Sequence, residues 1–484
     1  MTPAKYVYVA ALLFPAGSPV TAQTTSDAGT PEIVVFGRGE SKIGMATAAS
    51  EDTVAGADLL VRPLLRVAEL LEAVPGMIAA QHSGSGKANQ YFLRGFNLDH
   101  GSDFTTYIDG VQMNFRTHGH GQGYLDLNGL IPEIVEREDY RKGPYRAAGG
   151  DFALAGAAIF QTVSHFDKPW ASVEVGSYGA ARLAGGATVS GAGGSLTVAA
   201  QAKHYDGPWA TPERLRHYSA FAKLSRPVGS GAFALSFHLY DARWNPTEQI
   251  PDRIVGSARC RDVFCAPDPS ARGHTRRAIA DAAFTDDTLK ANAYVQYYDW
   301  SMYSNPTYAN ADGSSAQILQ FDRRWVFGLR GEKNWSLGPM LDLTVGTENR
   351  YDAIGRVGVA DTSDRQFIAS LGAYRVAEGS AAVHGEAVWR PFQGARVTAG
   401  LRGDHYWYDV KGLDDAARAI GEGRSSADLI SPKFALAYAI SPHLELYANW
   451  GRGFHSNDVR GAVTTTPAPV LVRGTGKEIG ARLQ

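Results

Sequence analysis

From about Trp170 onward the chain alternates apolar and polar residues. Leu196, Val198, Ala200 and Ala202 alternate with Thr197, Ala199, Gln201 and Lys203. Phe233, Leu235, Phe237 and Leu239 alternate with Ala234, Ser236, His238 and Tyr240. The same dyad returns at Leu341, Leu343 and Val345, at Val383, Gly385, Ala387 and Trp389, and at Leu444, Leu446, Ala448 and Trp450. A period of two is the period of a β-strand, and segments of about ten residues with one apolar and one polar face mark strands that cross a membrane as a barrel. A soluble β-sandwich or propeller carries a similar alternation. Tyr297, Tyr298, Trp300, Tyr406, Trp407 and Tyr408 stand at strand ends, where aromatic girdles are expected. The segments 245–274 and 304–317 read as long loops and 191–194 as a tight turn.

Before Trp170 the pattern differs. Pro63 opens a helical repeat with Val67, Leu70, Leu71 and Val74 on one face, closed by Pro75-Gly76. Short strands are expected near 91–94, 104–108 and 134–140, ending at Gly95, Gly110 and Gly143-Pro144. At the N-terminus, Lys5, the apolar run from Val7 to Phe14 and the small residues Val20-Thr21-Ala22 read as a secretory signal cut before Gln23. Its apolar core is too short for a membrane helix, and no later run reaches about 20 apolar residues, so a membrane role requires a barrel. Residues 23–31 are polar. They lead to an apolar island, Glu32-Ile33-Val34-Val35-Phe36, which reads either as a segment for strand addition to another protein or as the first strand of the next domain.

Charge narrows the function. Lys plus Arg number 47 and Asp plus Glu 49, a formal net charge of −2, without the basic footprint of a nucleic-acid binder. Export would place Cys260 and Cys265 in an oxidising compartment, where a local disulfide is expected; zinc needs four ligands, and there is no second cysteine pair.

Five motifs then follow in order: Leu70-Leu71-Glu72-Ala73-Val74-Pro75-Gly76, Leu93-Arg94-Gly95-Phe96, Tyr107-Ile108-Asp109-Gly110-Val111, Arg141-Lys142-Gly143-Pro144, and Ile159-Phe160-Gln161-Thr162-Val163. As a set they resemble the plug of a TonB-dependent outer-membrane receptor. The resemblance implies an all-β transmembrane antiparallel β-barrel with an N-terminal α+β plug domain in its lumen. The expected division is a signal peptide over residues 1–22, a flexible segment over 23–55, the plug over 56–166 and the barrel over 167–484. Glu32, Ile33, Val34, Val35 and Phe36 resemble the TonB box, which pairs with the inner-membrane TonB complex.

The implied function is energy-coupled import of a scarce nutrient, a ferric siderophore or other metal chelate, across the outer membrane of a Gram-negative bacterium. The implied partners are the TonB complex, the chelate and outer-membrane lipid. Neither a cofactor nor catalysis is implied. Candidate substrate contacts lie in two apical plug loops: Asp99, His100 and Asp103 in one, and His118, His120, Gln122 and Tyr124 in the other. His118 and His120 are weak candidates for metal ligation, since a pair needs further ligands. Arg141, Lys142 and Arg146 are expected to pair with barrel carboxylates such as Glu386 or Glu445, and His384, Glu386 and Arg390 to share the lumen face. Two alternatives stay open. One is a signalling receptor, which would carry a further folded domain before the TonB box. The other is a metal-dependent outer-membrane enzyme built on the His118/His120 pair. The family closes about 22 strands, whereas roughly 13 or 14 are legible here, so a C-terminally truncated sequence is expected.

Overall fold

The computed structural model describes residues 42–483, apart from 192, 259 and 309–314. The signal peptide and the Glu32–Phe36 segment therefore lie outside the described residues. Ten short strands form the first domain: β1 (Glu51–Ala55), β2 (Met77–Ala80), β3 (Gln90–Leu93), β4 (Phe96–Asn97), β5 (Phe104–Ile108), β6 (Val111–Gln112), β7 (Asn114–Phe115), β8 (Tyr124–Leu125), β9 (Val135–Lys142) and β10 (Gly156–Thr162). Five of them make a sheet in the order β1-β9-β10-β5-β6, in which β10 runs parallel to β5 and antiparallel to β9.

The helix expected from Pro63 is shorter and is not α-helical. A one-turn α1 (Gly56–Leu60) precedes a 3₁₀ helix, Val67–Ala73. Val67, Leu70, Leu71 and Val74 are all buried, so the apolar face is real while the winding is tighter than the repeat predicts. Glu69 caps the start by accepting from the Arg66 backbone N–H, at 3.1 Å.

Fourteen longer strands follow: β11 (Trp170–Val175), β12 (Ala181–Gly191), β13 (Gly194–Tyr205), β14 (Leu215–Val228), β15 (Gly231–Trp244), β16 (Arg272–Thr285), β17 (Leu289–Ser304), β18 (Ile318–Ser336), β19 (Leu341–Ser363), β20 (Gln366–Trp389), β21 (Ala395–Gly412), β22 (Gly423–Ser441), β23 (Leu444–Ser456) and β24 (Leu471–Leu483). They pair in sequence order as one antiparallel sheet. Alternation decides which side each residue takes. On β18, Trp325, Phe327 and Leu329 are exposed, while Asp322, Arg324 and Val326 are buried against the plug. The exposed side is thus apolar and the buried side carries the charge, the reverse of a soluble sandwich and the arrangement suited to lipid.

The same alternation corrects the girdle expectation. Tyr298, Trp300, Tyr406 and Tyr408 are buried on the inner side, and only Tyr297 and Trp407 belong to the outer one. Adjacent residues of a strand cannot share a face.

The sheet wraps the plug. Arg182 on β12 pairs with Glu133 of the plug, and Lys223 on β14 with Asp109 at 3.1 Å. Arg277 on β16 donates to the Asp126 carbonyl, and Arg350 on β19 to the Asn114 carbonyl, both at 2.8 Å or less. Lys433 on β22 donates to the Pro144 carbonyl, and Glu478 on β24 accepts from Ser50. Arg146 pairs with Glu386 at 2.9 Å, as expected. Glu445, by contrast, holds Arg396 at 2.7 Å, and Lys142 donates to the Pro75 carbonyl. His384 and Glu386 are buried on the lumen side, whereas Arg390 sits in the turn after β20 and pairs with Asp342.

The two rims differ. One has tight connections, as at Gly191 and Gly194 or Val228 and Gly231. The other has long ones, including the 245–271 loop, in which Cys260 and Cys265 are joined by a disulfide. In barrels of this kind long loops face outward and short turns face the periplasm.

Candidate functional site

The plug presents the loops that carry His100 and His118/His120 at the long-loop rim. Its start lies at the opposite rim, where Gly44 donates to Glu445 and Ala49 to Glu478, near the tight-turn ends of β23 and β24.

Asp99 and His100 lie in the loop between β4 and β5, and His118, His120 and Gln122 in the loop between β7 and β8, which Tyr124 ends. The 117–123 loop lies flat against the sheet wall because of Gly119. A Cβ on that residue would stand 2.5 Å from the Phe321 carbonyl oxygen of β18. A third loop, after β2, does the same through Gly86, where a Cβ would stand 2.1 Å from the Trp244 ring. That third loop carries His82, which sequence reasoning missed. The available signal was local: His82 opens a Ser-Gly-Ser-Gly run, the same His-plus-glycine composition as the 117–123 loop.

The candidate residues separate into two kinds. His118 is fully buried and stacks on Tyr124 with ring centroids 4.0 Å apart. Its Nδ1 accepts from the His120 N–H at 3.1 Å, and its Nε2 lies 3.2 Å from the Tyr298 hydroxyl. Both ring nitrogens are thus engaged and His118 has the surroundings of a core residue. Tyr124 is equally buried, and its hydroxyl accepts from the Ala88 N–H. Asp103 holds His455 of β23 at 2.7 Å, and the Gln122 side-chain oxygen accepts from the Asp458 N–H.

His100 and His120 form the second kind, joined by His82. The His100 Nε2 lies 3.0 Å from the His120 Nε2 and 3.3 Å from the His82 Nε2. The His100 Nδ1 lies 2.9 Å from the Asn89 carbonyl oxygen, and the His120 Nδ1 lies 3.1 Å from the Gln320 side-chain oxygen. His82 and His120 are half-buried, His100 is buried, and the Asp99 carboxylate is exposed 3.8 Å from the His100 Nε2. Burial, reinforced by the nearby Lys87 ammonium, lowers His82 to about 4 and His120 to about 3 and pushes His100 well below its ordinary value. Lys87 itself falls to about 8 through burial, against the pull of Glu248 and Asp99. At neutral pH the three imidazoles are uncharged, the state in which imidazole binds metals. Sequence reasoning paired His118 with His120; the fold pairs His120 with His100 and His82 instead.

The model of the TonB-dependent receptor plug domain matches residues 44–157, and that of the TonB-dependent-receptor-like β-barrel matches residues 218–484. This chain belongs to the TonB-dependent receptors. As a TonB-dependent receptor it has the fold of an outer-membrane protein, a plug with an antiparallel β-sheet around it.

Solved structures of similar fold include the ferric citrate transporter FecA in its unliganded form, at a TM-score of 0.74 and 16% identity, over 90% of this chain and 68% of that one. The copper transporter OprC aligns at a TM-score of 0.70 and 16% identity, over 91% and 69%. The ferric yersiniabactin uptake receptor FyuA from Yersinia pestis aligns at 0.66 and 16%, over 90% and 70%. At this identity the likeness is one of fold. The receptor's cargo has to be argued from its own residues.

Proposed function

We propose that this receptor imports a metal chelate, such as a ferric siderophore, across the outer membrane of a Gram-negative bacterium, with energy supplied by the TonB complex. The observation that carries the reading is the polarity of the plug. Its half-buried imidazoles and the Asp99 carboxylate sit at the long-loop rim, while its N-terminal approach lies at the tight-turn rim. Cargo would meet neutral nitrogen donors from outside, and the energy-coupling segment would emerge on the periplasmic side. The outer membrane holds no nucleotide source, so work on the plug has to arrive by mechanical contact, for which the Glu32–Phe36 island suits strand addition. Export through a signal over residues 1–22 completes the route. FecA, OprC and FyuA are described as handling ferric citrate, copper and ferric yersiniabactin, which supports a metal-bearing cargo. The half-buried imidazoles at the rim suit contact with an incoming cargo.

The test is uptake in a strain lacking the native gene, grown on a panel of iron, copper and other metal chelates and complemented in trans. Deleting residues 33–36 should abolish accumulation while leaving surface binding intact. Unchanged accumulation would overturn the TonB-coupled reading.

A further inference from the structure

We propose that His82, His100 and His120 form a binding site for a divalent late first-row transition-metal ion, such as Zn²⁺, Ni²⁺ or Cu²⁺, at the outer rim of the plug. The site rests on the import reading and narrows its cargo to a divalent ion, or a chelate with an open coordination position, in place of an oxygen-saturated ferric siderophore; metal binding itself stands on the geometry.

The first argument concerns lone pairs. A backbone carbonyl oxygen only accepts, so the His100 Nδ1, 2.9 Å from the Asn89 oxygen, carries the proton and donates it. The His120 Nδ1 likewise donates to the Gln320 side-chain oxygen at 3.1 Å. In a neutral ring the other nitrogen is then bare. The two bare Nε2 atoms face each other at 3.0 Å, with the His82 Nε2 3.3 Å from the central one. A hydrogen donated by the His82 Nε2 satisfies only one of these two lone pairs; a metal ion satisfies both and takes the His82 nitrogen as a third donor.

The second argument concerns distance. A tetrahedral ion about 2.05 Å from each nitrogen sets its donors about 3.3 Å apart, close to the two separations found around the His100 Nε2. Among the described residues no group of three or more His, Cys, Asp and Glu side chains is placed to hold a metal ion as it stands. Binding at this site requires the rings, tilted 41° between His82 and His100 and 73° between His100 and His120, to turn toward one centre. The Asp99 carboxylate, 3.8 Å from the His100 Nε2, is placed to supply a fourth donor or to hold a bound water.

The third argument is the outer layer. Metal-binding histidines donate their second ring N–H to a carbonyl, carboxylate or water, which fixes the tautomer. Asn89 and Gln320 do this for His100 and His120. Three uncharged nitrogens with one carboxylate select borderline ions over Mg²⁺ or Ca²⁺, which require oxygen. Lys87 lies in the same electrostatic field, and the Asp99 and Glu248 carboxylates offset its charge.

The test uses the full-length receptor, purified in detergent and stripped with a chelator. Titration with Co²⁺ should give one saturable equivalent with the visible bands of a tetrahedral nitrogen-rich site, and Zn²⁺ should displace it. His100→Ala, His82→Gln and His120→Gln should each weaken binding at least tenfold, while Mg²⁺ gives no signal. The half-exposed His82 and His120 provide variants that keep the fold if His100→Ala does not. Absence of a saturable Co²⁺ site, or one that survives both Gln substitutions, would overturn the inference. Chelate uptake that continues without metal binding would remove this site and leave the import reading standing. Metal binding with uptake indifferent to residues 33–36 would do the reverse.

Discussion

Glu138 illustrates how a single residue sets a local balance in the plug. It lies on β9, fully buried, and neither carboxylate oxygen has a hydrogen-bond partner. Burial raises its pKa well above the usual carboxylate range, against the pull of Arg62. A carboxyl group with a folded value above its unfolded one, about 4.3, binds its proton more tightly in the folded plug. Its contribution is present below that pH and is lost as pH rises toward the folded value. Glu138→Gln should therefore stabilise the plug at pH 7, where only the parent bears the cost of holding a proton or a charge at this site, and do little near pH 4. Hydrogen exchange of β9 amides, corrected for intrinsic rate, should show protection falling with pH in the parent and flat in the variant. Equal slopes would refute this. Nothing in the sequence marked Glu138, because a charged residue on a short strand reads as solvent-facing until both sides of the sheet are known to be covered. The buried surroundings of His118 were hidden for the same reason. Its spacing from His120 was visible, but the ring of Tyr298 on a strand 180 positions away was not.

At the scale of elements, periodicity was a good guide wherever one face met lipid and the other met the plug. The exposed Phe233, Phe237 and Leu239 of β15 follow the apolar dyad, and the tight turn at 191–194 lies where alternation stops. Periodicity was weaker inside the plug, where strands of two residues such as β6, β7 and β8 carry no measurable period. There the glycines were the legible part, and Gly86 and Gly119 bring loops into contact with the wall. The disulfide-bearing 245–271 loop covers one of them, since the Gly84 N–H donates to the Thr247 carbonyl at 3.1 Å. The Cys260–Cys265 bridge closes only a short ring, with a sequence separation of 5, and so constrains the loop rather than the barrel. The paired change Cys260→Ser with Cys265→Ser should leave the heat-modifiable mobility of the barrel intact and speed protease cleavage within residues 252–266 at least severalfold. Loss of the folded barrel, or an unchanged cleavage rate, would show that the bridge acts elsewhere.

At the scale of the whole molecule, the plug must be held firmly enough to occupy the lumen and, on the import reading proposed above, loosely enough to move. The holding contact with the widest reach centres on Arg116. Its guanidinium binds Asp151 at 3.0 Å and Ser380 on β20 at 2.7 Å, and lies over the Tyr406 ring of β21. Asp151 also accepts from the Tyr406 hydroxyl and from the Ser456 N–H and hydroxyl of β23, while the neighbouring Thr117 binds Glu378. One buried ion pair thus ties the plug to β20, β21 and β23. Truncating one partner of such a pair costs about 3–5 kcal/mol, because the other charge is left unpaired in a dry site. At 1.36 kcal/mol per tenfold, Arg116→Ala should raise the open population of the plug by about two decades or more. Removing both charges, with Asp151→Ala added, should recover part of that loss, since no lone buried charge remains. Hydrogen exchange at β7 and β10 reads the opening directly, and exchange within β20–β23 serves as the internal reference. Faster exchange confined to the plug in the single variant, with partial recovery in the double, would identify the pair as the clamp. Equal acceleration in plug and sheet would mean that the pair stabilises the whole receptor and that the release point for transport lies elsewhere.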